Sequence, residues 1–394
     1  MKIKVVSKSN CPWCEKTKNL LDSLGKEYEL IVKDDEQERK AFYAMCGEGV
    51  KSVPQIFLDG VRIGGYTDLV ANLDKLTGRF KLEDPSVTYK PFRYSWAVSR
   101  AKLHEQTHWI EDEIPLGDDV SDWKGNKLTK QEKDFITNIL KLFTQSDVAV
   151  ASNYYNYLIP RFKNNEVRMM LGSFANIESI HMRSYALLNE TLGFPDSDWY
   201  AFLEYEQMRD KAEFITDSDI HTKKGTALAL AKNVFSEGVM LFASFAMLLN
   251  FERFGKMKGM CKIVEFSIRD EQAHADGIAE LFRTYISENP KVWNDETKKA
   301  IYEMAKETVR LEDAFIDMTY ALGEPKDLKK EDVKLYVRYI TDQRLNSMGM
   351  KSIFEVGDNP LPWIDALVGG SKHTNFFESK VTEYEVAGLE GDWY

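Results

Sequence analysis

Glu178-Ser-Ile-His181 and Glu271-Gln-Ala-His274 each place a carboxylate and an imidazole three residues apart, and no other feature constrains the fold as much. On an α-helix such a pair leaves one face. A helix bundle that holds two metal ions through carboxylates needs two of these pairs, plus one carboxylate from each of two further helices. The chain offers both extras, Asp147 in FTQSDVAVA and Glu237 in FSEGVMLFA. Each sits among apolar residues, where an ionised carboxylate is costly unless paired or metal-bound. One Glu-x-x-His arises by chance on a surface helix. Two of them, each preceded by an acidic residue in an apolar stretch, predict a dinuclear site on Asp147, Glu178, His181, Glu237, Glu271 and His274. The competing reading is a set of satisfied structural polar groups.

Length and composition allow more than one domain. At 394 residues the chain exceeds the usual size of a single core, and 43% hydrophobic content can fill a large one. No run approaches the roughly 20 apolar residues of a membrane span. The N-terminus, MKIKVVSKSN, lacks the apolar region of a signal peptide and leads straight into an expected strand. Only four cysteines occur, Cys11, Cys14, Cys46 and Cys261, which excludes a disulfide framework. The close pair reads as redox chemistry or metal binding in a reducing cytoplasm. The net charge of −11 argues against nucleic acid as a major partner. Residues 1–80 are nearly balanced, with 13 basic against 12 acidic, whereas the remainder holds 39 against 51. The acidity thus belongs to the second part, as expected where buried carboxylates await cations.

The chain changes character near residue 80. Before it, short β-like runs (Ile3–Val6, Gln55–Leu58) alternate with helical stretches (Cys14–Leu24, Asp68–Leu76), the pattern of a small α/β domain. A polar connection, Glu83-Asp84-Pro85-Ser86, follows. From about Val98, long amphipathic segments predict helices around 133–159, 165–192, 224–254, 258–288 and 295–321, punctuated by Pro160, Pro195 and Pro290. The four ligand segments fall on four different helices. The expected organisation is a first domain over 1–80, an extended linker over 81–97, a helical domain over 98–368 and a flexible tail over 369–394 that opens at Gly369-Gly370.

Cys11-Pro12-Trp13-Cys14 follows an apolar strand and opens a helix. A thiolate at a helix N-terminus is stabilised by the dipole and by unpaired N–H groups, and Lys8 nearby adds positive charge. Cys11 is then the nucleophile, and Cys14, one turn on, the resolving thiol. A zinc half-site would need two further ligands, and Cys46 has no partner at ligand spacing. Ser52-Val53-Pro54 precedes a strand, and Gly64-Gly65-Tyr66-Thr67-Asp68 opens a helix. In this setting residues 1 to about 80 resemble glutaredoxin, a thioredoxin-like α/β fold. The resemblance implies a cis peptide at Pro54 beside the cysteine pair. It also implies glutathione held by the Val53 backbone, Gly65 and the Thr67-Asp68 pair. Trp13 departs from the tyrosine usual in that family.

From about Pro91 to Tyr394 the chain resembles the small, radical-generating subunit of class I ribonucleotide reductase, an all-α ferritin-like bundle. The resemblance rests on the six ligand positions, the Arg269-Asp270-Glu271 run and the tail. It implies an electron and proton relay from Trp109, in HEQTHWIEDE, through Asp270 to His181. It implies a tail tyrosine, Tyr384, that passes the radical to a separate large catalytic subunit docked by the tail, and a homodimer. No Gly-rich phosphate loop is found, so the nucleotide belongs to that large subunit. Tyr185, one turn after His181, stands where the radical-bearing tyrosine does. It has an ordinary reading as packing too, for the chain has 18 tyrosines.

Ser267, two positions before Arg269, replaces the apolar residue that shields this tyrosine in many iron–tyrosyl members. That looks like the manganese-dependent branch, so manganese is favoured, with iron or a mixed pair as alternatives. A fused glutaredoxin would return dithiols to the large subunit at high effective concentration. His104, His108, His221 and His373 have no ligand spacing and read as ordinary polar residues. The alternative from another class is a ferritin-like dimetal oxidase or oxygenase with a redox adaptor. It has no use for a Trp109–Asp270–His181 relay or for the aromatic tail of Tyr384, Trp393 and Tyr394.

Overall fold

A computed structural model describes residues 2–47, 49–73, 81–86, 90, 92–195, 197, 200, 204–216 and 219–370, without the side chains of 144–147 and 368–370. The chain divides into two compact units, Met1–Arg93 with Lys163–Asn165, and Tyr94–Phe162 with Glu166–Tyr394.

The first unit alternates β1 (Ile3–Ser7), α1 (Pro12–Ser23), β2 (Glu29–Val32), α2 (Glu36–Cys46), β3 (Gln55–Leu58), β4 (Val61–Gly64) and α3 (Tyr66–Ala71). The strand order is β2-β1-β3-β4, with β1 parallel to β2 and antiparallel to β3. Strand alternation sends Ile3 and Val5 to one buried cluster, with Leu20, Leu21, Ile56 and Leu69. Val6 points the other way, into a smaller cluster with Cys11, Cys14 and Val53. The sheet's period of two thus delivers the cysteine pair and the Val53 backbone to one side.

The second unit is helical: α4 (Ser95–Gln106), α5 (Gly117–Lys124), α6 (Lys130–Asn153), α7 (Asn165–Leu192), α8 (Glu206–Thr216), α9 (Lys223–Gly238), α10 (Phe242–Leu249), α11 (Lys258–Glu288), α12 (Asp295–Tyr320), α13 (Lys330–Ser347) and α14 (Pro362–Gly370). Local chemistry sets several starts. Thr129 and Glu132 form a capping box on α6, worth about 1 kcal/mol. After α6 a π-helical turn, Tyr154–Leu158, carries the chain to a last turn, Ile159–Arg161, in which Pro160 occupies a first-turn position.

The expected order, a small α/β unit followed by an all-helical one, is observed; α4, α5, α8 and α14 add to the five helices expected, and three further differences bear on the core and the tail. The helix expected over 224–254 is broken at Val239–Leu241. Its apolar segment is long enough to cross a membrane, and the most apolar window is wholly buried instead. Second, α13 is absent from the sequence reading, although Val333, Tyr336, Val337, Ile340, Thr341 and Leu345 are buried at helical spacing. The dense charge between them hides the stripe. Third, α14 runs to Gly370, so the glycine pair expected to open the tail closes a helix. Residues 371–394, including Tyr384, Trp393 and Tyr394, lie outside the described residues.

Candidate metal centre and thiol site

Three helices converge on one buried cluster. Glu178 and His181 come from α7, Glu237 from α9, Glu271 and His274 from α11, and all five are at most 1% exposed. Glu178, Glu237, Glu271 and His274 each present a ligand atom within 4.8 Å of the others. His274 Nδ1 stands 2.9 Å from Glu237 Oε2, 3.1 Å from Glu178 Oε1 and 3.4 Å from Glu271 Oε2. His181 Nδ1 lies 3.3 Å from Glu271 Oε1 and 3.6 Å from Glu178 Oε2. Asp147 falls on α6 as expected, and its side chain lies outside the described residues.

The donor set fits cations. Both Glu178 oxygens, Glu237 Oε1, Glu271 Oε2 and His274 Nδ1 are buried without an aligned hydrogen bond, although the nitrogen–oxygen approaches are short. Orphaned buried oxygens are costly unless something charged fills the space between them. Burial raises the Glu178 carboxyl, and its two imidazole neighbours more than reverse this, to about 2. Glu237, facing one imidazole and two carboxylates, is pushed up by burial to about 7. Burial disfavours charge on both imidazoles, yet the surrounding carboxylates hold their pKa values well above the ordinary histidine value. Protons thus balance the carboxylates wherever cations do not, and hard oxygen donors with two imidazoles suit manganese or iron.

The far side of each imidazole is engaged. His181 Nε2 stands 3.3 Å from Asp270 Oδ2, which also accepts from Trp109 Nε1 at 2.8 Å. Arg269 Nε and Nη2 donate to Asp270 Oδ1 at 3.1 and 3.0 Å. Burial opposes the Asp270 charge, but His181 and Arg269 hold its carboxyl well below the usual range. Trp109, Asp270 and His181 therefore form one hydrogen-bonded chain that starts at the cluster. Tyr185 is buried on α7, and its O–H donates to Ser267 Oγ at 3.1 Å, beside the Phe143 ring.

Two residues at the site were not singled out from sequence. His104, read as an ordinary polar residue, is buried on α4 with its Nε2 3.2 Å from His274 Nε2 and its Nδ1 2.8 Å from Ser173 Oγ. Burial, and then His274, push its pKa down to about 3, so it stays neutral. The network assigns its proton to Nδ1, leaving Nε2 to accept from His274. The contact spans 170 residues of chain, and no local spacing announces it. Tyr154, in the π-helical turn, donates to Glu237 Oε2 at 2.7 Å. A signal existed here: Tyr154 follows Asp147 by two helical turns and so shares its face.

In the first unit, Cys11 is the N-cap of α1. Its Sγ accepts from Cys14 N–H at 3.2 Å and lies 3.8 Å from Val53 O. Cys11 and Cys14 form a disulfide with Cα atoms 5.2 Å apart, and the Val53–Pro54 peptide is cis. Asp68 Oδ2 accepts the Gly65 N–H at 2.8 Å. Gly64, at φ +123°, leaves room for that carboxylate, since a Cβ there would stand 2.0 Å from it. Thr67 and Asp68 open α3 beside Tyr66, whose ring lies 5.5 Å from that of the exposed Trp13.

A buried carboxylate–imidazole cluster on packed helices, joined to a separate dithiol unit, defines a dimetal-type protein carrying a thiol–disulfide domain. Residues 86–360 match the family described as "Ribonucleotide reductase, small chain", and residues 3–63 match "Glutaredoxin". The chain is 42% identical over 332 residues to the probable ribonucleoside-diphosphate reductase small subunit 048L of Invertebrate iridescent virus 3, covering 79% of this chain and 88% of that one. It is 28% identical over 312 residues to the ribonucleoside-diphosphate reductase subunit beta of Chlamydia pneumoniae, covering 76% and 90%. The dimanganese(II)-NrdF of Streptococcus sanguinis shares the fold at a TM-score of 0.64 and 20% identity, over 72% of this chain and 99% of that one. The chain belongs to the ribonucleotide reductase small-subunit family, with a glutaredoxin domain fused at its N-terminus. The oxidase or oxygenase alternative is not favoured by these matches.

Proposed function

We propose that the second unit generates and stores the oxidising equivalent for ribonucleotide reduction by a separate large subunit, and that the first returns the electrons. The observation that carries this reading is the convergence of Glu178, Glu237, Glu271 and His274 within 4.8 Å in a buried core. With His181 and Asp147 they make a six-residue set for two ions. A bound pair of redox-active ions supplies the one-electron oxidant that no side chain furnishes. Asp270 orients His181 and joins it to Trp109, so an electron and a proton can leave along one hydrogen-bonded path. Tyr185 holds its phenolic proton on Ser267, within a buried pocket. A polar hydroxyl at Ser267, rather than an apolar shield, favours storage of the oxidising equivalent on the ions and hence manganese over iron or a mixed pair. The pair of subunits should form deoxynucleotides, neither alone should, and the absence of product with every metal loading would defeat the reading. Anomalous diffraction at the Mn and Fe edges, on protein offered both metals, is expected to place Mn; Fe in both positions of the active form overturns the metal assignment.

The thiol unit acts by exchange. The Cys11 thiolate attacks a disulfide of the large subunit and releases one thiol as a mixed disulfide forms. Cys14 then displaces the second thiol and closes Cys11–Cys14, which two glutathione molecules reopen. The Val53 backbone beside the cis Pro54, Gly65, Thr67 and Asp68 hold glutathione, with Trp13 exposed beside them. Cys11→Ser is expected to abolish glutathione-dependent disulfide reduction and leave metal loading unchanged, whereas Cys14→Ser keeps monothiol activity. Retained dithiol activity in Cys11→Ser would exclude this nucleophile.

The domain extents expected from sequence are kept as part of this proposal: a first domain over 1–80, a linker over 81–97, a helical domain over 98–368 and a tail over 369–394 that docks the large subunit, in a homodimer. Helix α4 nevertheless opens at Ser95 and α14 closes at Gly370, so helix overruns both expected ends of the second domain. Gly391-Asp392-Trp393-Tyr394 offers two aromatic anchors of the kind that dominate docking. Tyr384→Phe is expected to bind the large subunit normally and to stop turnover, because phenylalanine lacks the O–H needed for coupled proton and electron transfer. Binding by surface plasmon resonance and product formation, measured together, check both halves of that statement.

A further inference from the structure

The polypeptide leaves its helical path one residue after Glu237. Helix α9 ends at Gly238, Val239 adopts φ −137° and ψ −50°, and α10 starts only at Phe242. Every residue of this break is buried. A helix end leaves carbonyls without intrahelical donors, and in a buried core each must find a partner. Two buried cations from other helices provide them. Arg344 Nε, from α13, donates to Gly238 O at 2.9 Å, and Lys211 Nζ, from α8, donates to Met240 O at 2.8 Å. Gly238 is what admits the first, since a Cβ there would stand 2.4 Å from Arg344 Nε.

Both cations are anchored on their far sides. Arg344 Nη2 donates to Gln272 Oε1 at 2.8 Å, next in sequence to Glu271. Lys211 Nζ lies 2.5 Å from Glu312 Oε1 on α12, and 4.4 Å from the Phe315 ring centroid. This pair is held against the cost of desolvation: burial pushes the Lys211 ammonium down and the Glu312 carboxyl up, to about 7, while each partner's charge favours the other's. A buried pair of this kind can often be replaced by apolar groups without loss of stability. Fold stability therefore does not explain it, whereas its position at the break does.

We propose that Lys211 and Arg344 are positioning residues that hold the backbone break after Glu237 and thereby keep its carboxylate aimed at Glu178, Glu271 and His274. The proposal rests on reading Glu237 as a metal ligand. Without the two donors, the carbonyls of Gly238 and Met240 would have to find other partners. The break would move, and the Glu237 side chain would turn with it.

The test uses the full chain, Mn(II) alone as the probe, and three readouts: thermal midpoint, equilibrium Mn(II) affinity, and the electron paramagnetic resonance spectrum of the bound ions. Lys211→Met with Glu312→Leu removes cation and counter-charge together, so no lone buried charge remains. Its thermal midpoint should be unchanged or raised, while affinity for one ion falls about tenfold and the spectrum of the coupled pair changes. Lys211→Arg, which keeps a donor at Met240 O, should restore both. Wild-type affinity and spectrum in the double variant would overturn the proposal. If that variant does not fold, Arg344→Lys decides, since it keeps the charge and loses the Nε–H: weakened binding supports the proposal and wild-type binding overturns it. Wild-type protein that binds no pair of ions, whether offered Mn(II) or Fe(II), would instead remove the metal-centre reading, and the proposal with it.

Discussion

Replacing Glu178 with alanine is expected to abolish binding of the two ions and, with it, all nucleotide reduction, while the helical unit stays folded. Glu178, like Glu271, approaches both imidazoles, with Oε1 3.1 Å from His274 Nδ1 and Oε2 3.6 Å from His181 Nδ1. Its loss removes donors that the remaining five residues cannot replace. It also removes one of the buried negative charges that make the cluster costly without cations, so the metal-free fold loses little. Metal analysis after gel filtration and thermal unfolding with and without Mn(II) check this together. In the wild type, each ion bound only by the folded state adds about 2.7 kcal/mol when free metal is a hundred times its dissociation constant. In Glu178→Ala that increment should vanish. An unchanged metal-dependent midpoint in the variant would rule out Glu178 as a ligand.

The second large effect is expected at Asp270. Its carboxylate accepts on both sides, from Arg269 at Oδ1 and from Trp109 and His181 at Oδ2. An asparagine has only one acceptor oxygen. Asp270→Asn must therefore turn its amide N–H₂ toward donors on one side, at about 1–3 kcal/mol for the buried groups left unsatisfied. Metal affinity should fall roughly tenfold, as when the outer partner of a ligating histidine is lost. Turnover should fall much further, because the Trp109–His181 connection is severed. The Asp270 charge contributes stability above its unfolded value of about 3.9, lost only as pH falls through the depressed folded value. Asp270→Asn should lack that acid-range dependence. Trp109→Phe separates relay from structure: it keeps an aromatic ring without the N–H. Normal metal content with no turnover is the expected result, and full turnover would exclude the relay.

Much of the candidate site was legible because its signals are local. A carboxylate and an imidazole three residues apart share a helix face whatever surrounds the helix, so Glu178 with His181 and Glu271 with His274 could be paired before any packing was known. The same holds for Cys11 at the mouth of α1, where a strand, a proline and a second cysteine define the turn. Strand β3 matched its expected bounds because Ile56–Leu58 is apolar and the run is confined by Pro54 and Asp59-Gly60. Legibility failed where partners are distant in the chain. His104 has no ligand spacing, yet packing sets it against His274. Lys211, Glu312 and Arg344 look like surface charges on amphipathic helices, and the structure buries all three.

The amino-acid sequence by itself determined that there are two units, which helices carry carboxylates and imidazoles, and which cysteine opens a helix, because these depend on periods of two and 3.6 residues. Only the tertiary structure decided that Nδ1 of both histidines faces the carboxylates while Nε2 meets Asp270 on one side and His104 on the other. It alone decided that the helix after Glu237 breaks rather than continuing through a fully apolar stretch. The physical reason is the same in both cases. A side chain's reach is local, but the partner that satisfies its last donor or acceptor arrives on another helix, and a buried polar group takes its orientation from that partner.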